Sequence, residues 1–502
     1  MTKTHNYRRL SLIRSARFRD SAKIRAHSGM AADVIIVLVL LILLLNFMPS
    51  LAKEYTADYW MQKGDEFMAM QSFDIALDCF NKSIQLDGAN ASAWMKKGQA
   101  LSGMEKFDDA LSAYNESTRL DSKLAEAWYA SGLAYARQGS YNESIAAFDK
   151  AIALHPRVAL SWYGRGIALA NRGDYNESLQ DFDKAIELDG NLAVAWYSKA
   201  LISADLGRDN ESMEALKKTV DLDSENEDAW FDLGLAFANQ GDYFNALPAF
   251  NNVTDLNPIN SLAWEKKGDA LLALGRYFES AEAFERSLKI EPKSAVAWQG
   301  NALALRQSGR YRESIDAYNK SLELDPKNAA SWNGKALAYA ELKDYNLSLG
   351  MFERAIELDP EEVGFYYNKA IVLNEMESYS EAAAILRSSV ALHPDCAVCW
   401  NRLGLSLAKL ELFREAIKAY DQAIALDANY LEPWNNRGIA QIMGYEDYTE
   451  ALKSFDMAIK IDPKCIPAWA NKSNALKLAG RGPEANDALE KAKKLGYLPP
   501  ES

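Results

Sequence analysis

Residues 127–160 read "AWYASGLAYARQGSYNESIAAFDKAIALHPRVAL", and residues 161–194 follow without a gap as "SWYGRGIALANRGDYNESLQDFDKAIELDGNLAV". Laid over each other at 34 residues, Trp128 meets Trp162, Gly132 meets Gly166, Tyr141 meets Tyr175 and Phe148 meets Phe182. The same step runs outward in both directions and carries all 12 Trp of the chain: Trp60, Trp94, Trp128, Trp162, Trp196, Trp230, Trp264, Trp298, Trp332, Trp400, Trp434 and Trp469. The gap from Trp332 to Trp400 is two periods, and Tyr366 stands in the vacant place. The final step is one residue longer because "GYEDYTEA", residues 444–451, carries an extra residue. The chain is therefore a thirteenfold tandem repeat, and a fixed period of this length is the mark of a stacked repeat architecture.

Each unit holds further fixed phases. A small residue lies four after the Trp (Gly64, Gly98, Ala200, Ala302) and an aromatic thirteen after it (Phe73, Tyr141, Tyr277). Ala or Ser lies sixteen after it, Phe or Tyr usually twenty after, and Pro often 28 after, as at Pro156, Pro292 and Pro394. Apolar positions fall at i, i+3, i+4 and i+7 in two blocks, which predicts two amphipathic helices. A glycine turn separates them, and a "DP" or "HP" pair ends the second. Such a hairpin cannot bury its apolar face alone, so neighbours must stack to make the core.

This W…G…Y…A…F…P pattern, over residues 57–499, resembles the tetratricopeptide repeat family. The resemblance implies an all-α fold: an α-solenoid, a right-handed superhelix of tandem helix-turn-helix units whose first helices line a concave, peptide-binding groove. Repeat 5 departs from the pattern with Asp209 and Leu216 in place of the two aromatics, so looser packing is expected there. Repeat 13 has Gly482 and Leu489 at those places, and its polar last helix suits a terminal cap.

Ahead of the repeats, residues 1–33 form a leader with eight Lys or Arg against Asp20 and Asp33. Val34–Leu45 is an unbroken apolar run, and counted on to Leu51 it reaches the lower edge of what spans a bilayer. We read 1–33 as a basic cytoplasmic leader and 34–51 as one hydrophobic transmembrane anchor helix. A secretory signal cleaved near Ser50-Leu51-Ala52 is the alternative. Residues 500–502 are a short tail. Positive charge stays inside, so either reading places the repeats outside the cytoplasm, anchored as a single-pass membrane protein or secreted after cleavage.

The formal net charge is −14. Without the leader, 48 basic residues face 68 acidic ones, about −20. That excludes nucleic acid as a partner, because phosphate binding needs a basic face. Ten Asn-x-Ser/Thr sequons occur. Four share the first turn of the expected second helix, at Asn142, Asn176, Asn210 and Asn346, where export would make N-glycosylation possible. Their Ser stands where the family usually has Ala, and its hydroxyl is expected to bond the carbonyl one turn back.

No P-loop, Gly-x-Ser-x-Gly or dinucleotide fingerprint is present, and no non-repeat domain remains to hold a catalytic site. We therefore expect no enzyme, cofactor, metal or small-molecule substrate. "DLDSENED", residues 221–228, alternates acidic residues like a calcium loop but lacks the required Gly and reads as an inter-helix turn. Cys396 and Cys399 stand three apart just before Trp400. Packed, inert thiols are the preferred reading, with a local disulfide, a redox pair or a metal site helped by His393 and Asp395 as alternatives. Cys396 and Cys465 are two units apart, too far to bridge.

The resemblance implies that residues one and five after the Trp face the groove. These are Tyr129 and Leu133, Tyr163 and Ile167, Tyr197 and Leu201, and Phe231 and Leu235, an aromatic-aliphatic strip. Later units supply Asn333, Asn401 and Asn435, whose amides suit an extended peptide backbone. The family's carboxylate clamp, with Lys one and Asn five after the Trp position, occurs in no repeat. The expected function is a membrane-tethered, exported, non-enzymatic scaffold binding protein or peptide partners. A receptor or assembly factor for glycans or envelope polymers is the alternative, and a redox module at Cys396/Cys399 a lesser one.

Overall fold

A computed structural model describes residues 55–498, so the leader, the segment 34–51 and the tail lie outside the described residues. Among the described residues the chain forms 26 α-helices and no strand, alternating as thirteen hairpins. First helices mostly have 13 residues, as in Ala91–Gly103, and second helices 14, as in Phe107–Leu120. No described helix is long and apolar enough to cross a membrane. The described backbone divides between Asn239 and Gln240 into two compact units, each built of stacked antiparallel helices.

Local chemistry sets the helix ends. Asn90, Asn260, Ser294 and Asn328 each cap a first helix by accepting from the amide three residues on, satisfying a donor that the helix cannot. Most second helices stop where an Asp, Asn or His leaves helical geometry, and at His155 the following Pro156 enforces it, since the residue before Pro avoids that geometry. Within each hairpin turn one residue takes left-handed geometry. The expected glycine fills only part of these places: Gln71, Glu105, Lys343, Glu377, Glu411 and Glu446 hold φ between 51° and 63°. At roughly 1–2 kcal/mol per residue, stacking on neighbouring hairpins overrides the local preference.

The periodic Trp has a definite task. Its indole N–H donates to the carbonyl six residues back, on the turn from the preceding unit: Trp162 to Pro156 at 2.9 Å, Trp298 to Pro292 at 3.0 Å, Trp434 to Ala428 at 3.0 Å. Tyr366 keeps the bond with its hydroxyl, donating to the Pro360 carbonyl at 3.1 Å. Tyr366→Phe should therefore lower stability by about 1 kcal/mol, while Tyr366→Trp should cost far less. Urea melts of the two variants check this.

The core is a repeated wedge. The ring twenty after the Trp lies against the small residue of its own first helix and against the first helix of the next unit. Phe148 is wholly buried, and a Cβ added at Gly132 or Gly164 would come within 2.9 or 2.6 Å of its ring. Phe284 is gripped in the same way between Gly268, 2.9 Å by the same measure, and Gly300, closer still. Such clearances leave no room for a side chain.

Repeat 5 corrects an expectation. Leu216 is only 2% exposed and Ala200, opposite it, 1%. Other units set Gly or Ala at this place, as Ala336 beside Phe352; here Leu216 and Ala200 are both buried, so the volume is filled and the hairpin is not loose. Repeat 13 buries Ala485, Ala488 and Ala492 on its last helix, half-buries Leu489 and exposes the remaining positions, as a terminal cap requires. Cations three after the Trp add inter-unit ties. Arg165 donates twice to the nearly buried Asp181, at 2.7 Å each, and also pairs with Asp149 of the preceding unit. Lys369 reaches Glu353 at 2.9 Å and Arg437 reaches Asp421 at 2.8 Å in the same register.

Candidate functional site

Residues two before, one after and five after the Trp are spaced i, i+3 and i+7 and share one helix face. In the first unit that face is apolar in Ala159–Arg172 and Ala193–Asp205, and in Ala125–Arg137 at its two later positions, Tyr129 and Leu133. Leu133 is 43% exposed, Leu160 41% and Val194 48%. Leu160 and Val194 had no place in the sequence reading; the two-before position was the available signal. Tyr129, Tyr163, Ile167, Tyr197, Leu201, Phe231 and Leu235 are half-buried between and beside them. At the two ends of the row, Glu126 and Asp228 hold, exposed, the phase that Leu160 and Val194 hold in the middle.

The tyrosines divide their surfaces. The Tyr129 ring meets Phe148 edge-on at 5.7 Å between centroids, and the Tyr163 ring lies tilted on Phe182 at 5.9 Å. Their inner edges therefore belong to the wedge core and their outer parts to the strip. Hydroxyls link successive units: Tyr197 donates to Asp232 Oδ2 at 3.0 Å, and Tyr163 pairs with Ser198. Burial pushes the Tyr129 and Tyr163 phenols up from their ordinary value, so the strip stays uncharged at neutral pH.

The second unit presents amides at the same phase. Asn333 Oδ1 accepts from Asn368 at 3.1 Å, Asn401 Oδ1 from Asn436 at 3.2 Å and Asn435 Oδ1 from Asn471 at 2.9 Å. Asn401 also donates to the Tyr430 hydroxyl at 3.0 Å, which commits both arms of its amide. These side chains form a ladder between consecutive hairpins. The Asn368 and Asn436 partners were not foreseen, because the sequence shows phases within a unit more readily than pairs across units.

The four expected sequon asparagines, Asn142, Asn176, Asn210 and Asn346, are exposed in the first turn of second helices. Asn142 and Asn176 accept from Arg172 and Arg208 of the following units, at 2.9 and 2.7 Å. Their serines behave differently from expectation. Ser144 and Ser178 are fully buried and donate across the hairpin to the Gly132 and Gly166 carbonyls at 2.8 Å, not to their own helix. The small residue on the facing helix brings that carbonyl close. Ser348, equally buried, has no hydrogen-bond partner. Ser348→Ala should accordingly raise stability by about 1 kcal/mol and Ser178→Ala lower it by a similar amount, a difference of sign readable in thermal melts.

Cys396 and Cys399 are joined by a disulfide with Cα atoms 5.3 Å apart, which corrects the reading of separate, inert thiols. Cys396 caps the helix Ala397–Lys409, and the first turn brings the residue three later back beneath it. His393 is engaged elsewhere, its Nε2 lying 2.6 Å from the Glu361 carbonyl oxygen. No group of acidic, Cys or His side chains among the described residues could hold a metal. In "DLDSENED", Asp223 accepts from the Glu225 amide and Asn226 from the Ala229 amide, the hydrogen bonds of an inter-helix turn.

Tetratricopeptide repeat models match residues 95–159, 130–193, 163–227, 197–251 and 231–295, and others match 57–90, 302–343, 329–362 and 397–430. Together they span more than half of the chain. No curated protein matches. Among solved structures, yeast Tom70 is similar at 19% identity, covering 81% of this chain and 92% of its own, with a TM-score of 0.40. The Cut9 structure with Hcn1 is similar at 15%, covering 84% and 96%, TM-score 0.39. YrrB is similar at 25%, covering 38% and 96%, TM-score 0.32.

Proposed function

The chain belongs to the tetratricopeptide repeat family, and on that footing we propose that it is a non-enzymatic scaffold holding polypeptide partners on its first-helix faces. The observation that carries this reading is the apolar strip of the first unit, where Leu133, five after its Trp, and Leu160 and Val194, two before theirs, expose apolar surface on the same face of successive first helices. Contiguous exposed apolar surface is a mark of a docking face. Glu126 and Asp228 at its ends suit a partner segment with apolar anchors and basic flanks. In the second unit Asn333, Asn401 and Asn435 are engaged with neighbouring side chains, so the reading rests on the apolar strip of the first unit. The test is to select binding peptides from a random library with the full-length protein and map the amides they protect from hydrogen exchange. Protection concentrated in Ala125–Arg137, Ala159–Arg172 and Ala193–Asp205 is the expected outcome; protection confined to second helices contradicts the proposal.

We also propose that the leader and residues 34–51 hold the repeats at the outer side of a membrane. The charge asymmetry about the apolar segment supports this, and a disulfide at Cys396–Cys399 is in keeping with an oxidising compartment. Glycans at Asn142, Asn176, Asn210 or Asn346 would have to be attached before the hairpins close, because the sequon Ser is buried afterwards.

A further inference from the structure

We propose that the Cys396–Cys399 pair is a thiol–disulfide exchange site at which an external thiol attacks Cys396. The two sulfurs sit in unlike surroundings. Cys396 is half-exposed at the start of Ala397–Lys409, and its sulfur accepts from the Cys399 amide at 3.2 Å. Cys399 is 1% exposed, in the cluster that holds Leu403, Leu407 and Tyr420. A helix N-terminus favours a thiolate, and an apolar surrounding disfavours one. Cys396 is therefore the accessible sulfur and the better nucleophile once reduced, while Cys399 is the sheltered resolving sulfur.

The same backbone position occurs again without the second sulfur. Cys465 stands at the N-cap of Ile466–Leu478, two units on, without a side-chain cap hydrogen bond and with Ala468 where Cys399 would stand. It remains a free thiol. The helix start therefore forms without a disulfide at this position. The Cys396–Cys399 bond closes a very short loop, which constrains the unfolded chain less than a long one does. Reduction also leaves the Trp400 bond to the Pro394 carbonyl, 2.9 Å, in place. The hairpin can survive opening of the disulfide, as an exchange site requires.

The chemistry balances with thiol as the only co-reactant. A thiolate attacks Cys396 Sγ, the Cys396–Cys399 bond breaks, and its electron pair leaves on Cys399 Sγ, which takes up a proton. A second thiolate attacks the external sulfur of the mixed disulfide. The external disulfide departs, and Cys396 is released as a thiolate facing the Cys399 amide, the second proton going to solvent. Two thiols are oxidised and one disulfide is reduced; the reverse sequence re-forms the pair from an external disulfide.

The test uses full-length protein in glutathione buffers of graded reduced-to-oxidised ratio, quenched with acid, alkylated and read by mass spectrometry at each cysteine. Cys396 should gain label without denaturant, with helical circular dichroism unchanged, and Cys399, 1% exposed, should gain it only when the quenched protein is unfolded for a second alkylation. In Cys399→Ala, Cys396 should form a mixed disulfide with oxidised glutathione at least about tenfold faster than the buried free thiol Cys79. In Cys396→Ser, the Cys399 thiol should stay unlabelled until the protein is unfolded, which keeps the test decisive if Cys399→Ala loses helix. Labelling of wild-type Cys396 only after denaturation overturns the proposal, as does a Cys396 rate no greater than that of the buried Cys79.

Discussion

Phe284→Ala should lower stability by about 3–5 kcal/mol, the largest effect expected of any single change to the fold. The ring is 1% exposed and fills space that Gly268 and Gly300 leave open on two successive first helices. Its removal opens a cavity shared by two hairpins, and neither helix can close it without losing its own register. Because each hairpin is supported only by its neighbours, the loss should be local. Hydrogen exchange should accelerate most in Ser261–Ala273, Tyr277–Ile290 and Ala295–Gln307, and much less in distant hairpins. Phe284→Leu should cost less. Phe284→Leu combined with Gly268→Ala should recover part of that loss, because Leu216 and Ala200 fill the same two places together in repeat 5. Urea titrations of the single and double variants measure the coupling, and strictly additive losses contradict the wedge account.

Leu160→Asp with Val194→Asp should weaken capture of a peptide selected on the native protein by at least about tenfold, some 1.4 kcal/mol. Both side chains are more than two-fifths exposed, so the fold should tolerate the change, whereas an apolar partner anchor would meet buried charge. They are better probes than Tyr163 or Tyr197. Those rings also serve the core, through Phe182 and through the bond to Asp232, and their loss mixes binding with stability.

The fold was legible because one residue type marked the period. Trp at a single phase, with Gly, Tyr, Ser and Phe at fixed distances, is enough to place both helices of every hairpin. Its reason became visible only in three dimensions, where the indole N–H reaches a carbonyl six residues back and Tyr366 reaches it with a hydroxyl. What a period cannot show is which residues pair, between the two helices of a hairpin or between hairpins. The bond from Ser178 to the Gly166 carbonyl, the Asn401–Asn436 rung and the packing of Leu216 with Ala200 each depend on two residues that sequence order separates. The left-handed turns at Glu377 and Glu411 were hidden for a related reason: local preference favours Gly there, and packing outweighs it. The strip was half-legible, since its Tyr and Phe were marked by phase, while Leu160 and Val194 resembled ordinary helix-start residues until their exposure was known.

The most direct test of the scaffold account is calorimetric titration of one selected peptide into the native protein and into the Leu160→Asp, Val194→Asp variant at several temperatures. Burial of the strip predicts a clearly negative heat-capacity change for the native protein, nearly abolished in a variant that melts like the native chain. Equal affinity and an equal heat-capacity change in both proteins would contradict the assignment of the first-helix face as the docking surface.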